Sequence, residues 1–136
     1  DYQISPTVIV EKHKVLQILV NLISNAKYAV AHSKGSDSKV IVKIQPMEND
    51  GVGIVVEDTG IGIPLDKRDS IFNRFEQADN TTSRTFEGSG LGLSIVKSYA
   101  ELLRGEIWID QEYGGDPEYS SKGTRFIFTL PNSVVL

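Results

Sequence analysis

The chain has no cysteine, a single methionine, a single tryptophan and only two histidines among its 136 residues. Without cysteine there are no disulfides, thiolate metal sites or cysteine nucleophiles, and the composition fits a reducing, cytoplasmic setting. No long apolar run or signal-peptide pattern occurs, so these residues are not expected to cross or directly contact a membrane. The net charge of −4 comes from acids spread along the chain, which gives no general attraction to nucleic acid. A bound phosphate would have to be held locally. Missing too is a phosphate-gripping lysine: neither "DTGIGIP" at 58–64 nor "GSGLG" at 88–92 is followed by the Gly-Lys-Ser/Thr of a P-loop.

What is present is ordinary for a folded protein, with 40% hydrophobic and 24% charged residues, and the length suits one domain spanning 1–136. Residues 11–32 form the clearest helical pattern, with Val15, Ile18, Leu19, Leu22, Ile23, Ala26 and Val30 on one stripe. Lys14, Gln17, Asn21, Asn25 and Tyr28 fall together on the opposite arc. The opening "DYQISPTVIV" reads as short edge strands or an extended entry, interrupted by Pro6.

"KVIVKIQP" and "GVGIVVED" read as an antiparallel pair around the turn "ENDG". Pro64 is placed to start a short helical piece in "LDKRDSIFNRF". Residues 77–89 are polar and aperiodic, a loop long enough to be functional. "GLGLSIVKSYAELLRG" reads as a second amphipathic helix with Gly105 as a left-handed cap, followed by strands "EIWID" and "TRFIFTL". The order predicts an α+β fold, a two-layer sandwich with helices on one face of a mixed, mostly antiparallel sheet.

The candidate site residues follow from this placement. Asp58, at a strand end beside Gly60 and Gly62, can accept a hydrogen bond from an exocyclic amine such as adenine N6, where glycines let a flat base approach the backbone. A carbonyl at the same place, as in guanine, would be rejected. The glycines of "GSGLG" lie at the start of a helix, where backbone N–H groups face phosphate. Asn21 and Asn25, one turn apart, carry amide oxygens suited to Mg2+, which takes few protein ligands and keeps water and phosphate oxygens for the rest.

In order and spacing these blocks resemble the ATP-binding catalytic domain of sensor histidine kinases, in the family that includes gyrase, Hsp90 and MutL. "NLISNA" (21–26) resembles the N box, "DTGIGIP" (58–64) the G1 box, "IFNRFEQAD" (71–79) the F box and "GSGLGLSIVK" (88–97) the G2 box; "KGTRFIFTLP" resembles the closing strand. The resemblance implies a Bergerat fold, with ATP and Mg2+ as cofactors. Asn25 would ligate Mg2+ with Asn21 near the phosphates, Asp58 would bind adenine N6, and Gly60 and Gly62 would line the base pocket. Gly88, Gly90, Leu91 and Gly92 would approach the phosphates, Thr124 would help position the adenine, and 77–89 would form the ATP lid, with Phe72 and Phe75 as its anchors or as core packing.

Where hydrolytic relatives carry a glutamate four residues before the Mg2+ ligand, this chain has Asn21, which cannot act as a general base. Transfer to a neutral imidazole fits better than hydrolysis. Two departures stand out: Tyr28 occupies a common lysine position, with Lys27 one residue early, and Gln77 replaces a common arginine, so that Arg74 or Arg84 would have to supply the cation facing the γ-phosphate, although either reads equally as a solvated surface arginine. His13 and His32 lack the context of a phosphoacceptor and read as surface residues. The expectation is a fragment, monomeric and unable to transfer phosphate alone. Its partners would be an upstream dimerisation and phosphoacceptor domain and a response regulator or receiver domain. The alternative is a nucleotide-binding regulatory module without phosphotransfer.

Overall fold

The computed structural model describes residues 11–33, 38–73, 92–111, 113 and 123–132. Helix α1 (Lys12–Ala31) is followed by the hairpin β1 (Val40–Pro46) and β2 (Val52–Asp58), turned by a 3-10 segment at Glu48–Asp50. A second 3-10 turn (Leu65–Lys67) follows Pro64, then come α2 (Gly92–Leu102), β3 (Glu106–Ile109) and β4 (Thr124–Leu130). The sheet order is β1-β2-β4-β3, and every pairing among the described strands is antiparallel. The α+β sandwich is thus observed.

Alternation along the strands sets the core. Val52, Ile54 and Val56 of β2 and Phe126, Phe128 and Leu130 of β4 turn to the helices, where Ile18, Leu22 and Ala26 of α1 and Val96 and Ala100 of α2 meet them. Each such aliphatic or aromatic side chain contributes about 1.5–3 kcal/mol on full burial. Phe72 joins this core edge-on to Phe126, with ring centroids 6.1 Å apart, which is the packing role of the two expected for it. On the other face of the sheet, Glu57 is buried and pairs with Lys43 at 3.1 Å and Arg125 at 2.8 Å.

One placement is refined and one local expectation is corrected. Asn21, read as lying opposite the apolar stripe of α1, is only 9% exposed, whereas Leu16 and Val20 are 46% and 56% exposed. The cause is that α1 packs on α2 as well as on the sheet, which rotates its buried arc from the middle of the apolar stripe towards Ile18 and Asn21. The α2 cap is likewise displaced by one residue. Arg104, not Gly105, takes the left-handed conformation (φ 64°), Arg104 N–H donates to Glu101 C=O at 3.0 Å, and Gly105 N–H donates to Ala100 C=O at 2.9 Å. That pair of bonds is a Schellman ending with arginine at C′. Gly105 is needed for close approach instead, since a Cβ there would lie 1.8 Å from the Thr129 carbonyl oxygen.

The edge strands expected before α1, the lid at 77–89, Arg74, Phe75, Gln77 and Arg84 lie outside the described residues. Among the described residues no helix is long and apolar enough to cross a membrane.

Candidate nucleotide site

The sheet register brings the two ends of the site together. Asp58 closes β2, Thr124 opens β4, and the two are paired directly, 3% and 4% exposed. The Asp58 carboxylate accepts the Gly60 N–H at 2.8 Å and is also hydrogen-bonded by the Thr124 N–H. Burial pushes its pKa up to about 6, against the lowering effect of those two N–H groups. Near neutral pH it is therefore a buried carboxylate, fixed by backbone on the protein side, with acceptor capacity left for a ligand amine.

Helix α1 runs alongside. Gly60 abuts its Ala29, because a Cβ at Gly60 would fall 2.4 Å from the Ala29 carbonyl carbon, and Ile61 N–H donates to Ala29 C=O at 3.2 Å. Two turns earlier, Asn21 Nδ2 donates to Gly92 C=O at the start of α2, at 3.4 Å. Asn25 lies between them, so positions 21, 25 and 29 make one line about 12 Å long on the helix. One end of that line touches the loop after Asp58 and the other the start of α2. Asn25 is half-buried, and its amide makes no hydrogen bond within the described residues.

Gly62 is left-handed (φ 76°), as the turn after β2 requires. A Cβ at Gly60 would run into α1, so its lack of a side chain serves the packing of the helix on this turn. Gly92 is the first residue of α2; Gly88, Gly90 and Leu91 lie outside the described residues. Lys27 is exposed, and its helical position is about 160° away from Asn25. His13 and His32 are exposed, as expected, and His32 stacks on Tyr28 with ring centroids 3.9 Å apart.

Six side chains behind the site had no signal in the sequence: Tyr113, Arg125, Glu57, Asp110, Arg68 and Gln111. Tyr113 donates its hydroxyl to the Asp58 backbone C=O at 3.3 Å and lies against Arg125, which bridges Glu57 and Asp110. Arg68, only 7% exposed, donates to Ile63 C=O at 3.0 Å and to Gln111 at 3.3 Å. Only the Gly-Thr pair at 123–124 hinted at this corner: Gly123 (φ 101°) packs so closely on Asp58 that a Cβ would sit 1.9 Å from its carbonyl oxygen. A separate cavity of about 570 Å3, lined by Met47, Glu101, Arg104, Trp108 and Pro131 among others, opens at the opposite end of the sheet and holds none of these residues.

The described residues thus set a fixed buried acid at a strand end beside a helix bearing two amides in line with the start of α2. Residues 11–134 match the family described as histidine kinase-, DNA gyrase B- and HSP90-like ATPase. The chain belongs to that family. It is 41% identical over 115 residues to the autoinducer 2 sensor kinase/phosphatase LuxQ of Vibrio vulnificus, covering 85% of this chain and 13% of LuxQ. It is 38% identical to the sensor protein kinase WalK of Staphylococcus aureus, covering 90% of this chain and 27% of WalK. Among solved structures, the mycobacterial sensor histidine kinase MprB superposes with a TM-score of 0.71 at 28% identity, over 94% of this chain and 78% of that one. Full-length ShkA in complex with AMPPNP superposes at 0.70 and 26% identity, over 96% of this chain and 24% of that one. This chain thus spans a minor part of its curated relatives' length.

Proposed function

We propose that this domain binds ATP with Mg2+ in the cytoplasm and gives the γ-phosphoryl group to a histidine on a separate dimerisation and phosphoacceptor domain, within two-component signalling. The observation that carries the reading is the buried Asp58 carboxylate, held by the Gly60 and Thr124 N–H groups and facing a helix whose position 21 is an amide rather than an acid.

Asp58 would accept the adenine amine, and Thr124 beside it would complete the base pocket. Asn25, with no hydrogen bond to the protein among the described residues, fits as a Mg2+ ligand, and its place midway along α1 puts that ligand between the base end and the start of α2. Bound Mg2+ would supply neutralisation of charge on the phosphates. Asn21, tied to Gly92, would hold the start of α2 against α1, where the backbone N–H groups of that helix can meet phosphate. Neither Asn21 nor Asn25 can remove a proton, which favours an imidazole acceptor over water. The acceptor domain and a receiver domain or response regulator are the partners this implies.

The test is calorimetric titration of the domain with a non-hydrolysable ATP analogue and its guanine counterpart, with and without Mg2+. Labelled ATP and a cognate acceptor domain supplied in trans come next. Adenine-selective, Mg2+-assisted binding and label on histidine support the reading. Binding without transfer to any cognate acceptor would instead favour a regulatory nucleotide-binding module, a reading to which the outward-facing Lys27 already leans.

A further inference from the structure

The corner behind Asp58 is built by Asp110, Gln111 and Tyr113, which come after β3 in the chain. Asp110 accepts from Arg125 Nη1 at 2.9 Å, Gln111 accepts from Arg68, and Tyr113 donates to the Asp58 carbonyl. Through Arg68 the same segment also reaches the Ile63 carbonyl, so both sides of the turn that follows β2 are tied to it. The Arg125 guanidinium lies 4.3 Å from the Tyr113 ring centroid, a cation–π distance, while its Nε is held by Glu57 at 2.8 Å. Burial pushes the Tyr113 hydroxyl pKa up, with Glu57 adding to it, so the hydroxyl stays protonated and a donor.

We propose that Tyr113, held flat by Arg125, is a positioning residue for adenine recognition: its hydroxyl fixes the Asp58 backbone, and thereby the aim of the Asp58 carboxylate. The inference rests on the adenine-binding reading above and deepens it. Asp58 is the last residue of β2 and pairs with Thr124, the first of β4; beyond it the chain turns through Gly60 and Gly62, and the tyrosine hydroxyl is a further hold on this end of the ladder. Gly123 closes the space beside the same carbonyl, which leaves the tyrosine hydroxyl as the side-chain donor that reaches it. Arg125 supplies a planar face fixed at two carboxylates, and a lysine there keeps the charge without the plane.

The experiment measures ADP and inosine diphosphate affinity by calorimetry for the wild-type domain, Tyr113→Phe, Arg125→Lys and the double variant, with melting temperatures alongside. Tyr113→Phe keeps the ring on Arg125 and removes one hydrogen bond. The expected result is about a fivefold loss of ADP affinity, a smaller loss for inosine diphosphate, and a melting temperature lowered by no more than a few degrees. Arg125→Lys should weaken ADP in the wild-type background and add little in the Tyr113→Phe background, since both act through one contact. Tyr113→Phe binding ADP as tightly as wild type overturns the proposal, and so does an equal loss for both nucleotides that follows a lowered melting temperature. If the wild type binds neither nucleotide, the functional reading fails first and the inference falls with it.

Discussion

Gly60 is pressed against Ala29 so closely that a methyl group on Gly60 would lie 2.4 Å from the Ala29 carbonyl carbon and 2.5 Å from its oxygen. Both are backbone atoms of a helix and cannot swing aside. Gly60→Ala should therefore push α1 and the turn after β2 apart, costing about 2 kcal/mol or more, and loosen the Gly60 N–H bond that fixes the Asp58 carboxylate. Denaturant melts and nucleotide titration would both register the change. An alanine variant with wild-type stability and affinity would mean that the helix yields freely there.

On the proposed role of Asp58, its proton ties stability to nucleotide binding. Its pKa in the fold is about 6, against 3.8 ordinarily, so the folded state holds the proton more tightly than the unfolded one. Stability supplied by the protonated form is fully present below about 3.8 and is lost as pH rises to about 6, a cost of about 3 kcal/mol above that window. Asp58→Asn escapes the cost, because the amide oxygen can still accept the two N–H groups, at the expense of burying an amide NH2. The stability difference between variant and wild type should thus move in favour of the variant between pH 4 and pH 7. A difference independent of pH would show that the carboxylate carries no burial cost.

Nucleotide affinity should run the other way over the same window. An ionised Asp58 is the better acceptor for an adenine amine, so wild-type ADP affinity should fall as pH drops through about 6. In Asp58→Asn the amide NH2 faces the adenine NH2, and affinity should be low at every pH. Calorimetry from pH 5 to 8 on the two proteins reads this directly.

Much of this site was legible because its chemistry needs particular residues at fixed intervals. Asn21 and Asn25 at i and i+4, and Asp58 ahead of two glycines, are such patterns, and the antiparallel pairing of the strands around "ENDG" was read correctly from their sequence. What periodicity could not give was the direction of burial on α1. The apolar stripe alone puts Asn21 outside, whereas packing against α2 brings it in, and no local pattern encodes that second contact. The supports of Asp58 were hidden for a related reason. Tyr113 is 55 residues from the carbonyl it bonds, and Arg125 is 68 residues from Glu57. Arg68 lies in a run of charges that looks solvated, yet it is buried and hydrogen-bonds Gln111, 43 residues away.

Asn25 offers a clean separation of binding from folding. Its amide makes no protein hydrogen bond among the described residues, and alanine is the better helix former by a few tenths of a kcal/mol. Asn25→Ala should leave stability within about 0.5 kcal/mol of wild type while removing the part of ATP-analogue affinity that depends on Mg2+. Titrations with and without Mg2+ would then coincide for the variant. Persistence of the Mg2+ effect would sink the metal role.

Arg104 pays for its place in the α2 ending. A residue with a Cβ in the left-handed region costs about 1–2 kcal/mol relative to glycine, and the two capping bonds, Arg104 N–H to Glu101 C=O and Gly105 N–H to Ala100 C=O, are backbone bonds that any residue there would keep. The side chain is exposed and far from Asp58, at the other end of the sheet. Arg104→Gly should therefore stabilise the domain by about 1 kcal/mol, less than the full conformational term because glycine also widens the unfolded ensemble. Chemical denaturation with an unchanged slope and a raised midpoint is the expected signature, with nucleotide affinity unaltered. A destabilised glycine variant would show instead that the Arg104 side chain holds the end of α2 through its contacts with the groove it lines.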